Sequence, residues 1–130
     1  IGIATAADFT IQMIKGLSIR KKIIYFFTKK IYYQNDYNKK PYFFSREFIQ
    51  NSKKFLILEQ EIDINFRVAL FYGKKDNTVR IENQIKILAL LKSKKAELFI
   101  FKNSDHRMST EEDLKNIEKK LVEYITLINF

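Results

Sequence analysis

Phe66 to Tyr72 is an almost unbroken apolar run, interrupted by Arg67 and ended by Gly73. Alternation would mark a strand with one wet face, whereas a continuous run marks a strand covered on both faces, as inside a parallel sheet. Leu98-Phe99-Ile100-Phe101 repeats the signal. Between the two runs Ile81, Ile85, Leu88, Ala89 and Leu91 or Lys92 follow helical spacing, with Thr78 as a candidate cap. Beyond the second run, Ser109-Thr110-Glu111-Glu112 has a capping-box pattern, with acids suited to the positive end of a helix dipole. Leu114, Ile117, Leu121, Ile125 and Ile128 then make one apolar stripe. Strand, helix, strand, helix with crossovers of this length predicts an α/β fold with a parallel sheet and helices on its faces.

The opening residues, Ile1-Gly2-Ile3-Ala4, read as a short buried strand running into the small-residue turn Thr5-Ala6-Ala7-Asp8. A beginning in mid-strand is what a piece of a longer protein would show. From Ile11 to Asn65 the pattern changes to lysine and aromatic clusters such as Ile23-Ile24-Tyr25-Phe26-Phe27 and Ile31-Tyr32-Tyr33. Gln34 to Pro41, rich in turn formers, is expected to be a loop between two helical patches. A helix from Ser45 to Leu58 is expected next, with Ser45 as N-cap and Phe48, Ser52, Phe55, Leu56 and Leu58 roughly on one face.

Composition narrows the chemistry. With 130 residues, 46% of them hydrophobic, the chain has material for one real core. The absence of cysteine excludes disulfides, thiolate metal sites and a cysteine nucleophile, and a single histidine leaves too few ligands for zinc. No cofactor or metal is expected. No apolar run approaches the roughly 18 residues of a spanning helix, and no signal peptide is evident; a soluble, cytoplasmic protein is the expectation. The net charge of +9 raises the question of nucleic acid. Its lysine pairs are scattered along the chain without a block of five, which favours a solvated basic surface. A small basic module binding nucleic acid or an acidic partner is the alternative function.

The single histidine, His106, lies in the polar stretch Asn103 to Ser109, just past a strand end. Asp76 lies just past the other, in Gly73-Lys74-Lys75-Asp76. In open α/β sheets the chemistry sits at the carboxyl ends of the strands. A serine hydrolase needs an imidazole to take the hydroxyl proton and return it to the leaving group, and a carboxylate on the far ring nitrogen to fix the tautomer. Strands ~4.8 Å apart would bring the two side chains within reach. Asp105 is the rival carboxylate, disfavoured because adjacent residues seldom point the same way.

These residues carry a resemblance. Gly73-Lys74-Lys75-Asp76-Asn77-Thr78-Val79 resembles the G-x-x-D-x-x-V segment that holds the catalytic aspartate of α/β-hydrolases, and Ser104-Asp105-His106-Arg107-Met108-Ser109 resembles the G-D-H-R-L-S segment with the catalytic histidine. Ile1 to Thr10 is similar to the G-I-A-A-A-P-D-F-T strand of the acyl-protein thioesterase and acyl-glucuronide esterase branch and its bacterial homologues, and Tyr42 to Leu58 resembles that branch's lid-to-strand helix. The resemblance implies the C-terminal part of an α/β-hydrolase fold, with residues 11–65 as a lid-like insertion. It implies Asp76 and His106 as catalytic residues and an acyl ester or thioester as substrate.

Three departures stand out. Arg80 replaces the branch's proline, and Ser104 replaces its glycine before the Asp-His pair. The third is the nucleophile. The family's G-x-S-x-G turn needs glycines for close backbone approach, whereas the glycines here are Gly2, Gly16 and Gly73, and no serine has a glycine two residues away on both sides. In the family this turn, with its oxyanion-hole donors, precedes the strand that opens this chain. The expectation is therefore a nucleophile on a complementary N-terminal segment and an isolated chain without hydrolase activity; a non-catalytic remnant of the same fold is a further alternative.

Overall fold

The computed structural model describes residues 1–33 and 41–126. The chain divides into two compact units, residues 1–7 with 58–130, and residues 8–57.

The first unit is built on a three-stranded parallel sheet in the order β1 (Gly2–Ile3), β4 (Val68–Gly73), β5 (Ala96–Phe101). The central strand β4 is buried at every position, which accounts for its unbroken apolar run. Ala69 and Phe71 face one way, packing with Met108, Ile117 and Tyr124. Val68 and Leu70 face the other, packing with Leu58 and Ile87. The covering helices are α4 (Ile81–Leu90) and α5 (Glu111–Thr126), each following its strand as the alternation predicted. Tyr124 ties α5 to the strand starts, its hydroxyl donating to the carbonyls of Val68 at 2.7 Å and Lys95 at 2.9 Å. Burial, then the charge of Glu97, pushes its phenol up to about 12.

Both helices differ in detail from expectation. In α4 the buried positions are Asn83, Gln84 and Ile87, whereas Ile85 is exposed. The two amides turn inward because the segment after β1 presents carbonyls to them: Asn83 Nδ2 donates to Ala7 O at 3.0 Å, and Gln84 Nε2 to Thr5 O at 2.7 Å. The N-cap is Arg80, not Thr78. In α5 the covered stripe is Asp113, Ile117 and Tyr124, with Leu114 and Ile125 each 56% exposed; Ile128 lies outside the described residues. The expected capping box is shifted by one residue: Thr110 Oγ1 accepts from Asp113 N, and the Asp113 carboxylate accepts from Thr110 N.

The second unit holds α1 (Phe9–Lys15), α2 (Ile19–Thr28), an antiparallel ribbon of β2 (Lys30–Tyr33) with β3 (Tyr42–Ser45), α3 (Arg46–Ser52) and a 3-10 turn over Lys53–Phe55. Ser45 caps α3 as predicted, accepting from Phe48 N at 3.1 Å. The helix stops six residues short of Leu58; Ile49 is its buried residue, while Phe48 and Phe55 are exposed. The expected loop from Gln34 lies, except for Pro41, outside the described residues. Its flanks are strands rather than helical patches, because β-branched and aromatic side chains pair across the ribbon: Ile31 with Phe44, Tyr32 with Phe43, Tyr33 with Tyr42. Phe9, Phe44 and Phe48 pack ring against ring beneath it. Asp8 closes the unit, its Oδ1 accepting from Ile57 N at 3.0 Å.

Candidate active site

Gly73 and Phe101 end β4 and β5 as register partners, so the two loops that leave them start side by side. The Gly73 loop turns at once, Asp76 N donating to Gly73 O at 3.0 Å. Asp76 then organises the residues just after it: its Oδ1 accepts from Thr78 N at 2.7 Å and Val79 N at 2.8 Å. Thr78 thus serves as a backbone donor to Asp76 rather than as the cap its hydroxyl suggested. The buried Tyr72 hydroxyl holds the far side of this turn by donating to Val79 O at 3.0 Å. Burial, with the charges of Asp76 and Glu82 behind it, pushes that phenol upward.

The two loops are stitched together by Lys74 N donating to Phe101 O and Lys75 N to Ser104 O, both at 2.9 Å. They approach so closely that a Cβ on Gly73 would overlap the carbonyls of Ser104 and Asp105. Gly73 is required here for space, since its φ is not positive.

The loop from Lys102 to Thr110 carries His106. Asp105 is occupied within it, Oδ1 accepting from Arg107 N at 2.8 Å and Met108 N at 3.2 Å. That Asx turn takes the rival carboxylate out of contention. Met108 comes next with φ 46°, a left-handed conformation costly for a residue with a side chain, and its burial in the core beside Phe71 holds it there. Asp113 clamps both ends of the loop, accepting from the Ser104 hydroxyl through Oδ1 and from the Thr110 hydroxyl through Oδ2 at 2.7 Å. Burial raises its pKa, but the hydrogen bonds from Ser104 and Thr110 outweigh it and hold the carboxyl below its ordinary value.

With both loops fixed, His106 Nδ1 stands 2.9 Å from Asp76 Oδ2. The Asp76 side chain is fully buried, while the His106 ring is 39% exposed. An ionised carboxylate only accepts hydrogen bonds, so the contact with Asp76 Oδ2 requires the tautomer with the proton on Nδ1. That leaves Nε2 as the ring's lone-pair nitrogen, with no hydrogen-bond partner among the described residues. The arrangement can accept a proton at Nε2 and stabilise the resulting imidazolium through Asp76. Among the described residues no group of three or more His, Cys, Asp or Glu could hold a metal ion.

Sequence reasoning selected Asp76 and His106, and the fold brings them together. It missed the supports: Gly73, Ser104 and Asp113. Ser104, which replaces a glycine in the resemblance, is 4% exposed and spends its hydroxyl on Asp113. The spacing from Thr110 to Asp113 is a capping-box signature, and it could have exposed the clamp.

No protein-family model matches the chain. Mouse palmitoyl-protein thioesterase ABHD10, mitochondrial, is 27% identical over 115 residues, 88% of this chain and 39% of that protein. The solved structure of α/β hydrolase domain-containing protein 10 from mouse matches with a TM-score of 0.86 at 23% identity, over 98% of this chain and 51% of the other. A candidate hydrolase from Agrobacterium vitis S4 matches with a TM-score of 0.83 at 22% identity, over 93% of this chain and 47% of the other. The chain thus spans about half the length of these structures, and less of the curated relative. Its parallel sheet, its two strand-end loops and these likenesses place the chain among proteins of the α/β-hydrolase fold, similar in sequence to the acyl-protein thioesterase branch.

Proposed function

We propose that this chain supplies the acid–base half of a serine hydrolase acting on carboxylic esters or thioesters. The observation that carries the reading is the 2.9 Å bond between His106 Nδ1 and the buried carboxylate of Asp76, at the ends of neighbouring parallel strands. In the proposed reaction Nε2 removes the proton from a serine hydroxyl as its oxygen attacks the acyl carbonyl. It then returns that proton to the departing alcohol or thiol, and repeats the exchange with water to release the acid. Asp76 stays ionised and holds the ring in the productive tautomer. The similarity to a palmitoyl-protein thioesterase supports a thioester or ester substrate.

The serine, in this reading, lies on a complementary N-terminal hydrolase segment. Two facts support it: no G-x-S-x-G occurs among the 130 residues, and the chain spans about half of the solved relatives. Residues 11–65 are read as a lid-like insertion, a reading supported up to Ile57 by the compactness of residues 8–57, with 58–65 grouped in the other unit.

Fluorophosphonate labelling and ester hydrolysis test the proposal. The chain alone is expected to give neither. Co-production with the reading frame upstream of Ile1 is expected to give both, with hydrolysis abolished by His106→Ala. Labelling of the isolated chain, or hydrolysis indifferent to His106→Ala, would sink it.

A further inference from the structure

The scattered lysine pairs conceal an asymmetry that the division into units exposes. Residues 8–57 hold 11 Lys and Arg against three Asp and Glu, a net charge of +8, whereas the other unit holds 13 against 12. The basic character of the chain belongs to the smaller unit.

The same unit carries an apolar surface. No residue of α2 is buried. At about 100° per residue, Phe26, Ile19, Ile23 and Phe27 fall within an arc of about 100° on that helix, and Ile19 and Phe27 are 77% and 75% exposed. Exposed Arg20 and Lys22 flank this arc, one on each side, while Lys21 lies on the opposite side of the helix. Lys29 turns the chain at φ 60° into the ribbon, with its ammonium 4.6 Å above the Phe26 ring. On the outer face of the ribbon Tyr32 pairs with Phe43, and Lys30 Nζ sits 4.5 Å over the Phe43 ring. Exposed Arg20 and Lys22 thus stand beside the apolar arc, while Lys29 and Lys30 cover exposed rings of the same elements.

We propose that this face of residues 8–57 docks on an anionic lipid surface. Cations flanking an apolar helical arc suit phosphate headgroups with acyl chains beneath them, the chains receiving the isoleucines and phenylalanines. Nucleic acid meets the charge but not the shape: the most exposed part of the arc is half aliphatic, and aliphatic side chains offer bases no stacking partner. The inference rests on residues outside the Asp76–His106 site and is independent of the proposed reaction.

The chain contains no tryptophan, so a single introduced indole reports without background. Phe27→Trp in the full 130-residue chain is expected to shift its emission to the blue with vesicles containing about 30% phosphatidylglycerol in phosphatidylcholine, and not with phosphatidylcholine alone. Phe66→Trp, at an exposed position of the other unit, is expected not to shift. Co-sedimentation is expected to fall roughly 25-fold for Arg20→Gln with Lys22→Gln, about fivefold per cation. It should fall at least tenfold for Ile19→Ser with Ile23→Ser, with circular dichroism unchanged because these side chains are exposed. No vesicle binding, equal shifts at positions 27 and 66, or binding indifferent to the isoleucine changes would overturn the proposal. So would a single-stranded RNA giving the same blue shift at position 27, or self-association lost on the isoleucine changes without vesicle binding.

Discussion

Replacing Gly73 by alanine tests how the two strand-end loops are held. The added methyl would lie against the carbonyls of Ser104 and Asp105 and 2.7 Å from the Ser104 carbonyl carbon. Ordinary contact begins near 3.4 Å, so the loop must retreat by about 1 Å, since a backbone cannot rotate aside as a side chain does. A retreat of that size lengthens Lys75 N to Ser104 O, now 2.9 Å, beyond bonding distance and strains Lys74 N to Phe101 O. Overpacking costs about 1–3 kcal/mol and each lost hydrogen bond about 1 kcal/mol. The expected destabilisation is roughly 2–4 kcal/mol, a large share of the 5–15 kcal/mol typical of a domain. Urea denaturation reads the loss, and the His106 ring signal reads the displacement. Gly16→Ala is the control: its Cβ would meet its nearest neighbour at 3.4 Å with φ at −77°, and stability should stay level or rise by about 0.4–1 kcal/mol. A Gly73→Ala chain within about 0.5 kcal/mol of the parent, with its His106 signal unmoved, would refute the steric argument.

Asp113→Asn should destabilise the chain at neutral pH by about 1–3 kcal/mol. Because the folded-state pKa of Asp113 is lowered, its contribution is present above the ordinary value near 3.9 and disappears as pH falls through the lower folded value. Urea midpoints should therefore fall more steeply below about pH 4 in the parent than in the variant. Tyr124→Phe removes the hydroxyl donated to the carbonyls of Val68 and Lys95, the latter still accepting from Val68 N, and should cost about 2 kcal/mol by thermal or urea unfolding. Since its phenol is pushed up to about 12, the parent should lose stability as pH rises from about 10 toward that value, and the variant less so. In the reconstituted hydrolase, Asp76→Asn should lower kcat by about 10³–10⁴, measured with a chromogenic ester, while Asp105→Asn should cost much less; the reverse order would reassign the carboxylate.

The legibility of this chain depends on how local each signal is. β4 was readable because a strand buried on both faces has to be apolar throughout, and nothing distant modifies that demand; β5 carries the same apolar run although Glu97 and Ile100 are exposed. Asp76 and His106 were readable because strand ends in a parallel sheet are where loops converge. The inward turn of Asn83 and Gln84 was not, because the carbonyls of Thr5 and Ala7 that require it lie nearly 80 residues away in sequence. Ile85 satisfies helical periodicity and is nevertheless exposed. Tyr124 fell off the apolar stripe for the same kind of reason, since its hydroxyl is fixed by two strand starts. The ribbon of β2 and β3 was misread as helical because aromatic clusters without strict alternation suit either period.

The proposed reaction depends on Asp76 holding the His106 ring with its proton on Nδ1. With one histidine in the chain, two-bond ¹H–¹⁵N correlation spectra read that ring without assignment. At a pH where the ring is neutral, the parent should show a protonated Nδ1 and a bare Nε2, and Asp76→Asn should return the ring to the tautomer mixture of a solvated imidazole, with Asp105→Asn leaving it as in the parent. A parent ring protonated on Nε2, or one unchanged by Asp76→Asn, would contradict that role for Asp76.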